Sequence, residues 1–296
     1  MEKFQSKIKG ALYGFAIGDA MGATTEFMDE HQIKEKYGEV CDIIGGGWLH
    51  LKPGEVTDDT QMMMCVCKAI EHGYYSVFED NEEFRLVEEI LDSCCSNFVE
   101  WYKTNPKDVG ACCSKVIRNC SIYKCHESWQ TFAEDSESLG NGSLMRTMPI
   151  ILAGLSEDVA ISQGQLTHNN IMCDVTLSIY YRNLEKILYY GKFMSYATAL
   201  VEPTGHVGKT LNNALYWSQN TNTFEYAIIN AVNHGGDADT IAAVTGSLVG
   251  ALYGYEAIPQ RWIDQLDSNV KNDLEKYSKL FEKFNKKVCT NLKNMI

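Results

Sequence analysis

Apolar residues recur at helical spacing along almost the whole chain, and few stretches alternate with the two-residue period of a strand. The pattern predicts helices over residues 6–21, 58–72, 83–103, 109–119, 143–153, 156–166, 170–190, 192–200, 207–217, 223–232 and 241–255. A last helix is predicted from Asn269 to Ile296. There Leu274, Tyr277, Leu280, Phe281, Phe284, Val288 and Leu292 fall at helical spacing with lysines between them, as in an amphipathic helix packed on a surface. Two helices carry strips of glycine at four-residue spacing: Gly10, Gly14 and Gly18 in the first, Gly246, Gly250 and Gly254 in the other. The words Gly10-Ala-Leu-Tyr-Gly14 and Gly250-Ala-Leu-Tyr-Gly254 are identical. Glycine costs a helix interior about 1 kcal/mol relative to alanine, so a strip of three needs a compensating gain. Close approach to another helix backbone supplies one. The spacing does not say whether the two strips meet each other. With no linker rich in Pro, Ser or Gly, residues 1–296 read as one all-α domain, a bundle with tightly packed central helices.

Composition narrows the class. A hydrophobic fraction of 45% allows a substantial core, but no run approaches the length of apolar sequence that spans a membrane. The opening residues MEKFQSKIKGALYG lack a secretory pattern, so a cytoplasmic location is expected. Eleven cysteines, with adjacent pairs at Cys94-Cys95 and Cys112-Cys113, make a poor disulfide framework and contain no paired CxxC elements. Reduced, mostly buried thiols are expected. A formal charge of −13 argues against nucleic acid as the partner, because phosphate binding needs a basic face. The acidic stretch from Glu79 to Glu89 reads either as a partner surface or as a solvated face.

Two segments carry more oxygen than helix capping requires. Pro53-Gly54 makes a turn before Thr57-Asp58-Asp59-Thr60, and an apolar helix follows. Gly235-Gly236 makes another before Asp237-Ala238-Asp239-Thr240, which opens the second glycine-strip helix. One residue in each can cap a helix N-terminus; the others are left over. Four carboxylates brought within about 5 Å, at an effective dielectric of about 20, repel by roughly 3 kcal/mol per pair. Six pairs reach on the order of 20 kcal/mol, beyond a typical domain's whole stability. Lys52 is the nearest cation in sequence, so divalent ions are the expected remedy. An all-oxygen set selects Mg²⁺, Mn²⁺ or Ca²⁺ over zinc, and two ions balance four carboxylates.

With these segments in view, the chain resembles the ADP-ribosylglycohydrolase family, in particular its bacterial dinitrogenase-reductase-activating type. The matching words are Gly18-Asp-Ala-Met-Gly-Ala-Thr-Thr-Glu26-Phe27, Gly45-Gly-Gly-Trp48 running into Thr57-Asp-Asp-Thr60, Asp108-Val-Gly110, Gly140-Asn-Gly-Ser-Leu-Met-Arg146, Thr167-His168 and Asn233-His-Gly-Gly-Asp-Ala-Asp-Thr240. They cover roughly residues 8–260, in the family's order. The resemblance implies an orthogonally packed multi-helix bundle with a dinuclear Mg²⁺ or Mn²⁺ site at its centre. It implies hydrolysis of the bond between ADP-ribose and a modified protein side chain. Carried over by position, the metal ligands are Thr57, Asp58, Asp59, Asp237, Asp239 and Thr240, the six already singled out. Asp108 and Glu26 are the implied acid–base carboxylates, Asp108 pointing to an arginine linkage and Glu26 to a serine linkage. Asn141, Gly142, Ser143, Met145 and Arg146 are implied around the pyrophosphate, with His168 and His206 as further substrate contacts.

Two departures concern the pocket. Asn170 stands where the family often has a second histidine, and His206 where bacterial relatives commonly have tyrosine. The expected activity is release of ADP-ribose from ADP-ribosyl-arginine on a protein. The alternatives are hydrolysis of ADP-ribosyl-serine or O-acetyl-ADP-ribose, a two-metal phosphoester hydrolase, or a non-catalytic ADP-ribose-binding regulator. A prenyl-chain-type DDxxD signature is absent, since Thr60-Gln61-Met62-Met63 follows Asp58-Asp59.

Overall fold

The computed structural model describes residues 2–77, 83–134 and 137–294. Fourteen α-helices run through them: α1 (Glu2–Gly22), α2 (Glu30–Tyr37), α3 (Asp58–Val77), α4 (Glu83–Lys103), α5 (Ala111–Cys120), α6 (His126–Glu134), α7 (Met148–Leu152), α8 (Glu157–Gln165), α9 (Ile171–Tyr190), α10 (Val207–Gln219), α11 (Phe224–His234), α12 (Ala238–Tyr253), α13 (Gln260–Gln265) and α14 (Ser268–Asn294). No strand occurs among the described residues, only the isolated bridges Gly46–Leu51 and Gly140–His206. The fold is all-α, as the periodicity requires, and none of the described helices is long and apolar enough to cross a membrane.

The two glycine strips do meet. α1 and α12 lie antiparallel, with Gly10 against Gly250, Gly14 against Gly246, Gly18 against Ala242 and Gly22 against Ala238. A Cβ at Gly14 would stand 2.2 Å from the Gly246 carbonyl oxygen, and one at Gly246 would stand 2.0 Å from that of Gly14. Backbone touches backbone along the whole pair. Both helices are buried nearly all round, and α9, α10, α11 and α14 pack around them. Leu274, Tyr277, Leu280, Phe281 and Phe284 of α14 are buried, so its apolar face is the docking face. The side chains of Val288 and Leu292, and residues 79–82 of the acidic stretch, lie outside the described set.

Other expectations need correction. Residues 192–200 form no helix. After the left-handed turn at Gly191, the N–H groups of Met194 and Ser195 go to Asn183 Oδ1, that of Ala197 to Gln219 Oε1 and that of Val201 to Asn213 Oδ1. Side chains of α9 and α10 thus take the donors that a helix would have used internally. The helix predicted over 143–153 shrinks to α7, which starts at Met148 with Pro149 in its first turn, where proline's missing N–H does no harm. The short helices α2, α6 and α13 escaped a reading based on long apolar periods. The ten described cysteines are free thiols.

Candidate metal centre and active site

The α1–α12 pair sets the distance between the two oxygen-rich junctions. Near its end α1 carries Asp19, a fully buried carboxylate in an otherwise apolar stretch. Its oxygens accept the N–H of Thr57 at 3.1 Å and that of Thr60 at 3.0 Å. Donors at the first turn of α3 are thereby tied to α1. A few residues on, Gly22 rests directly on Ala238 and Asp239 at the first turn of α12. Both junctions therefore hang from one helix. Asp19 was not singled out from sequence, although a lone acid between Gly18 and Ala20 on a buried helix was a signal.

The junctions converge. Thr240 Oγ1 donates to Asp59 Oδ2 at 3.1 Å across 181 positions of chain. Thr57 takes the capping role, its Oγ1 accepting the N–H of Asp59 at 3.2 Å. Asp237 precedes α12 but makes no capping bond; its Oδ2 accepts from Asn141 Nδ2 at 2.5 Å. Asp58 Oδ2 accepts the N–H of Gly110 at 3.2 Å, which draws the loop before α5 onto the cluster. Thr57, Asp58, Asp59, Asp239 and Thr240 are buried, and Asp237 is half-buried.

Burial raises every carboxylate here, and the neighbours that raise them further are other carboxylates. Asp58 is pushed up to about 7 by desolvation and by Asp108, Asp19 and Asp237. Asp237 is pushed up to about 6, by burial and then Asp108. Asp59 and Asp239 are raised well above the ordinary range, by burial and by the surrounding acids. Asp59 Oδ1 is buried without a hydrogen-bond partner. An acidic, all-oxygen pocket with an orphaned carboxylate oxygen is chemically matched to a hard divalent cation.

Glu26 and Asp108 sit at the rim, and each offers a carboxylate oxygen within 4.8 Å of the other and of Asp239. Glu26 is buried and pushed up to about 8, chiefly by desolvation, with Asp108, Asp237 and Asp58 adding to the rise. Its Oε2 accepts a hydrogen bond from the indole N–H of Trp48 at 2.6 Å, which pulls the other way. Trp48 arrives over three successive glycines in left-handed conformation, Gly45, Gly46 and Gly47. A Cβ on Gly47 would meet the Ala23 carbonyl oxygen at 2.0 Å. Asp108 is half-buried, is raised by desolvation, and accepts the N–H of Val109 at 2.7 Å.

The Gly140–Ser143 turn stands beside the cluster and is zippered to the loop before α10. Asn141 N–H donates to the Gly205 carbonyl at 3.0 Å and Val207 N–H to that of Leu139 at 2.8 Å. Asn141 Nδ2 reaches Thr210 Oγ1 as well as Asp237. His206 caps α10, its Nδ1 accepting the N–H of Gly208 at 3.1 Å. His168 is buried beneath the turn, 3.2 Å from where a Cβ on Gly140 would stand. Burial pushes its imidazole down to about 3, with Arg146 adding to the fall, so it is neutral and bonds Thr167 Oγ1 at 2.8 Å.

Arg146 does not present itself to a ligand. It is fully buried, with Nε on Gln163 Oε1 at 3.0 Å, Nη1 on the Gly142 carbonyl at 2.8 Å and Nη2 on the Gln163 carbonyl at 3.0 Å. Its guanidinium lies 4.9 Å from the Phe98 ring. Arg146 braces the glycine turn from below by holding a carbonyl that the turn leaves unpaired. Met145 and Ser143 are likewise buried, Met145 within the core.

The family model for ADP-ribosylglycohydrolase matches residues 1–186 and 178–289. The chain is 32% identical over 289 residues to the ADP-ribosyl-(dinitrogen reductase) glycohydrolase of Rhodospirillum rubrum, covering 90% of this chain and 92% of that one. It is 30% identical to an ADP-ribosylarginine hydrolase of Serratia proteamaculans, covering 88% and 75% respectively. A solved structure described as an ADP-ribosylglycohydrolase-related protein complex superposes with a TM-score of 0.76 at 26% identity, covering 96% of this chain and 99% of that one. With the match running through both junctions and the helix pair that joins them, the chain belongs to the ADP-ribosylglycohydrolase family.

Proposed function

We propose that the protein is a metal-dependent hydrolase that removes ADP-ribose from modified arginine side chains of a protein by cleaving the N-glycosidic bond. The observation that carries this reading is the meeting of two oxygen-rich helix openings, from opposite ends of the chain, beside the Glu26–Asp108 pair. Thr57, Asp58, Asp59, Asp237, Asp239 and Thr240 would hold two Mg²⁺ or Mn²⁺ ions. When bound, the ions supply the positive charge the cluster lacks and a Lewis-acid site for ribose hydroxyls and water.

The protein's own groups do the rest. Asn141 ties the glycine turn to Asp237, so the turn that receives the pyrophosphate keeps a fixed distance from the cluster. Neutral His168 and the Arg146 brace keep that turn rigid from beneath. Bond cleavage at the anomeric carbon develops oxocarbenium character, and a carboxyl group placed beside the leaving nitrogen moves the proton. Asp108 is assigned that proton transfer. Glu26, raised by burial and held by Trp48, stands next to it at the same rim. Arginine is favoured over serine by the Asp108-Val109-Gly110 word and by the relative described as an ADP-ribosylarginine hydrolase.

The test is release of free ADP-ribose from an arginine-modified protein, with Mg²⁺ or Mn²⁺ and with chelator. Release that needs the metal supports the reading. Equal rates with and without metal, or no release from arginine-modified protein, refutes it.

A further inference from the structure

The glycine-tryptophan word Gly45-Gly-Gly-Trp48 is not among the residues assigned to metal or pyrophosphate, yet the fold goes to some length to place it. Gly47 is pressed onto the end of α1, Thr24 Oγ1 donates to the Gly45 carbonyl at 3.1 Å, and a bridge from Gly46 to Leu51 closes the loop. The product is an indole fixed by its N–H to Glu26 Oε2, with 46% of the residue still exposed. Beside it Phe27 is 67% exposed, its ring centroid 5.4 Å from that of Trp48 at an interplanar angle of 48°. Phe27 also has φ of +62°, a left-handed conformation that a bulky residue adopts only where its surroundings enforce it. The enforcing bond is Phe27 N–H to the Gly236 carbonyl at 2.7 Å, at the second oxygen-rich junction. Strained backbone that ends in an exposed ring gains nothing from burial. The two rings are held out to solvent at the rim of the catalytic carboxylates.

The groups next to the indole are carboxylates: Glu26 accepts its N–H, and Asp108 and Asp239 each offer an oxygen within 4.8 Å of one on Glu26. A cavity of about 750 Å³ opens from Phe27 and Gly236 on the other side; its acids Glu30 and Glu202 are already paired, with His234 and Lys209. An aromatic face next to carboxylates is the environment that a planar cation prefers: the ring quadrupole attracts it and the acids neutralise it. We propose that Trp48 and Phe27 form the subsite for the guanidinium of the modified arginine, which stacks on the exposed indole while its ribosyl bond lies at the carboxylate rim. This rests on the arginine reading above and adds a source of linkage specificity to it. An ADP-ribosylated serine offers an oxygen without a flat cation and gains nothing from the rings.

Steady-state release of ADP-ribose separates the ring face from the indole N–H. Trp48→Leu removes both; Trp48→Phe keeps a smaller aromatic face and loses the hydrogen bond to Glu26. For arginine-linked substrate, Trp48→Leu is expected to raise KM about 5-fold, the size of a cation–π contact at a partly exposed ring. Trp48→Phe is expected to keep KM within about 2-fold of wild type, its loss falling on kcat. Phe27→Leu raises KM in the same direction and carries the test if Trp48→Leu does not fold. For serine-linked substrate no variant shifts KM. Equal KM for Trp48→Leu, Trp48→Phe and wild type on arginine-linked substrate overturns the subsite while leaving the arginine reading intact. So does an equal rise in both Trp48 variants, which would make the N–H and not the face responsible. A wild-type enzyme that releases ADP-ribose only from serine-linked substrate overturns the arginine reading, and the subsite with it.

Discussion

If one helix suspends both oxygen-rich junctions, then a methyl group inserted at the right point along it should damage the proposed metal centre more than the fold. Gly22 is that point. A Cβ there would stand 2.4 Å from the Ala238 carbonyl oxygen, 2.5 Å from Asp239 Cα and 2.6 Å from the Ala238 carbonyl carbon, all of them backbone atoms that cannot rotate aside. Carbon atoms pack best at about 3.5–4.0 Å, so the first turn of α12 must retreat by about 1 Å. Gly10 provides the control. It makes a comparable clash with the same partner helix, 2.3 Å to the Gly250 carbonyl oxygen, but twelve positions and so about 18 Å away along α1.

Overpacking of this kind costs about 1–3 kcal/mol, part of which alanine's better helix propensity returns. Both Gly22→Ala and Gly10→Ala should therefore lower the metal-free melting temperature by a few degrees, at about 2–4 °C per kcal/mol. Only Gly22→Ala displaces Asp239 relative to Asp59. A shift of about 1 Å in a positioned group can reduce turnover by up to about 100-fold. The assay pairs thermal melting with Mn²⁺ titration of the folded protein and with ADP-ribose release. Gly22→Ala is expected to lose Mn²⁺ affinity and rate together, and Gly10→Ala to keep both. Equal losses in the two variants, or wild-type Mn²⁺ affinity in Gly22→Ala, would refute the idea that the α1–α12 contact sets the spacing of the site.

Other consequences follow from the same geometry. Asp19→Asn keeps the size of the side chain but replaces one acceptor of the Thr57 and Thr60 N–H groups with a donor. Mn²⁺ affinity should fall about 10- to 100-fold while metal-free stability holds or rises, because a buried charge is removed; unchanged affinity with lower stability would make Asp19 merely structural. Asp108→Asn should reduce kcat at least about 100-fold and leave Mn²⁺ and ADP-ribose binding within a few-fold, by calorimetry; near-normal turnover removes Asp108 from the mechanism. Asp19, Asp58 and Asp237 are raised in the fold from 3.8 to about 6, 7 and 6, so the folded state holds protons that the unfolded chain has released. Their stabilisation is complete below about pH 4 and is lost as pH rises to about 7. His168, pushed down to about 3, works in the opposite sense, but one imidazole stands against these three carboxylates and against Glu26, Asp59 and Asp239, which are raised as well. The metal-free protein should melt at lower temperature at pH 7.5 than at pH 5, with Mn²⁺ restoring most of the difference at the higher pH; a rising or flat metal-free profile contradicts the assignment.

How much of this was legible in the sequence depended on whether a residue's partner was near it in the chain. The Thr57–Thr60 and Asp237–Thr240 junctions were legible because a local rule, one cap per helix start, was visibly exceeded. The glycine strips announced a close contact, and their register on each other required the fold. Segment 192–200 went wrong for the complementary reason. Its helical period was genuine, but the acceptors Asn183, Gln219 and Asn213 lie in other helices and outbid the local ladder. Capping chemistry was overlooked at α2, where Asp29 and Gln32 form a reciprocal cap that the sequence spells out in four residues.

Asp19 and Arg146 share a pattern that sequence alone displays. Each is a single charge in a run of apolar and small residues, Ile17-Gly-Asp-Ala-Met21 and Leu144-Met-Arg-Thr-Met148. On such a helix or turn the charged side chain is buried with its neighbours, and an unpaired buried charge costs several kcal/mol. It must therefore be met by fixed dipoles or an opposite charge. The chain contains both kinds of receiving dipole: the N–H groups of Thr57 and Thr60 at the start of α3, and the Gly142 carbonyl of the Gly140–Ser143 turn together with the Gln163 carbonyl at the end of α8, which also accepts the N–H of Leu166. The carboxylate must go to the first and the guanidinium to the second, and that is where they are. A lone buried charge thus identifies the irregular backbone that receives it, and here both receiving segments border the candidate site. The reason is physical: backbone held in shape for a ligand leaves its own polar groups without helical partners, so the fold must supply them from elsewhere.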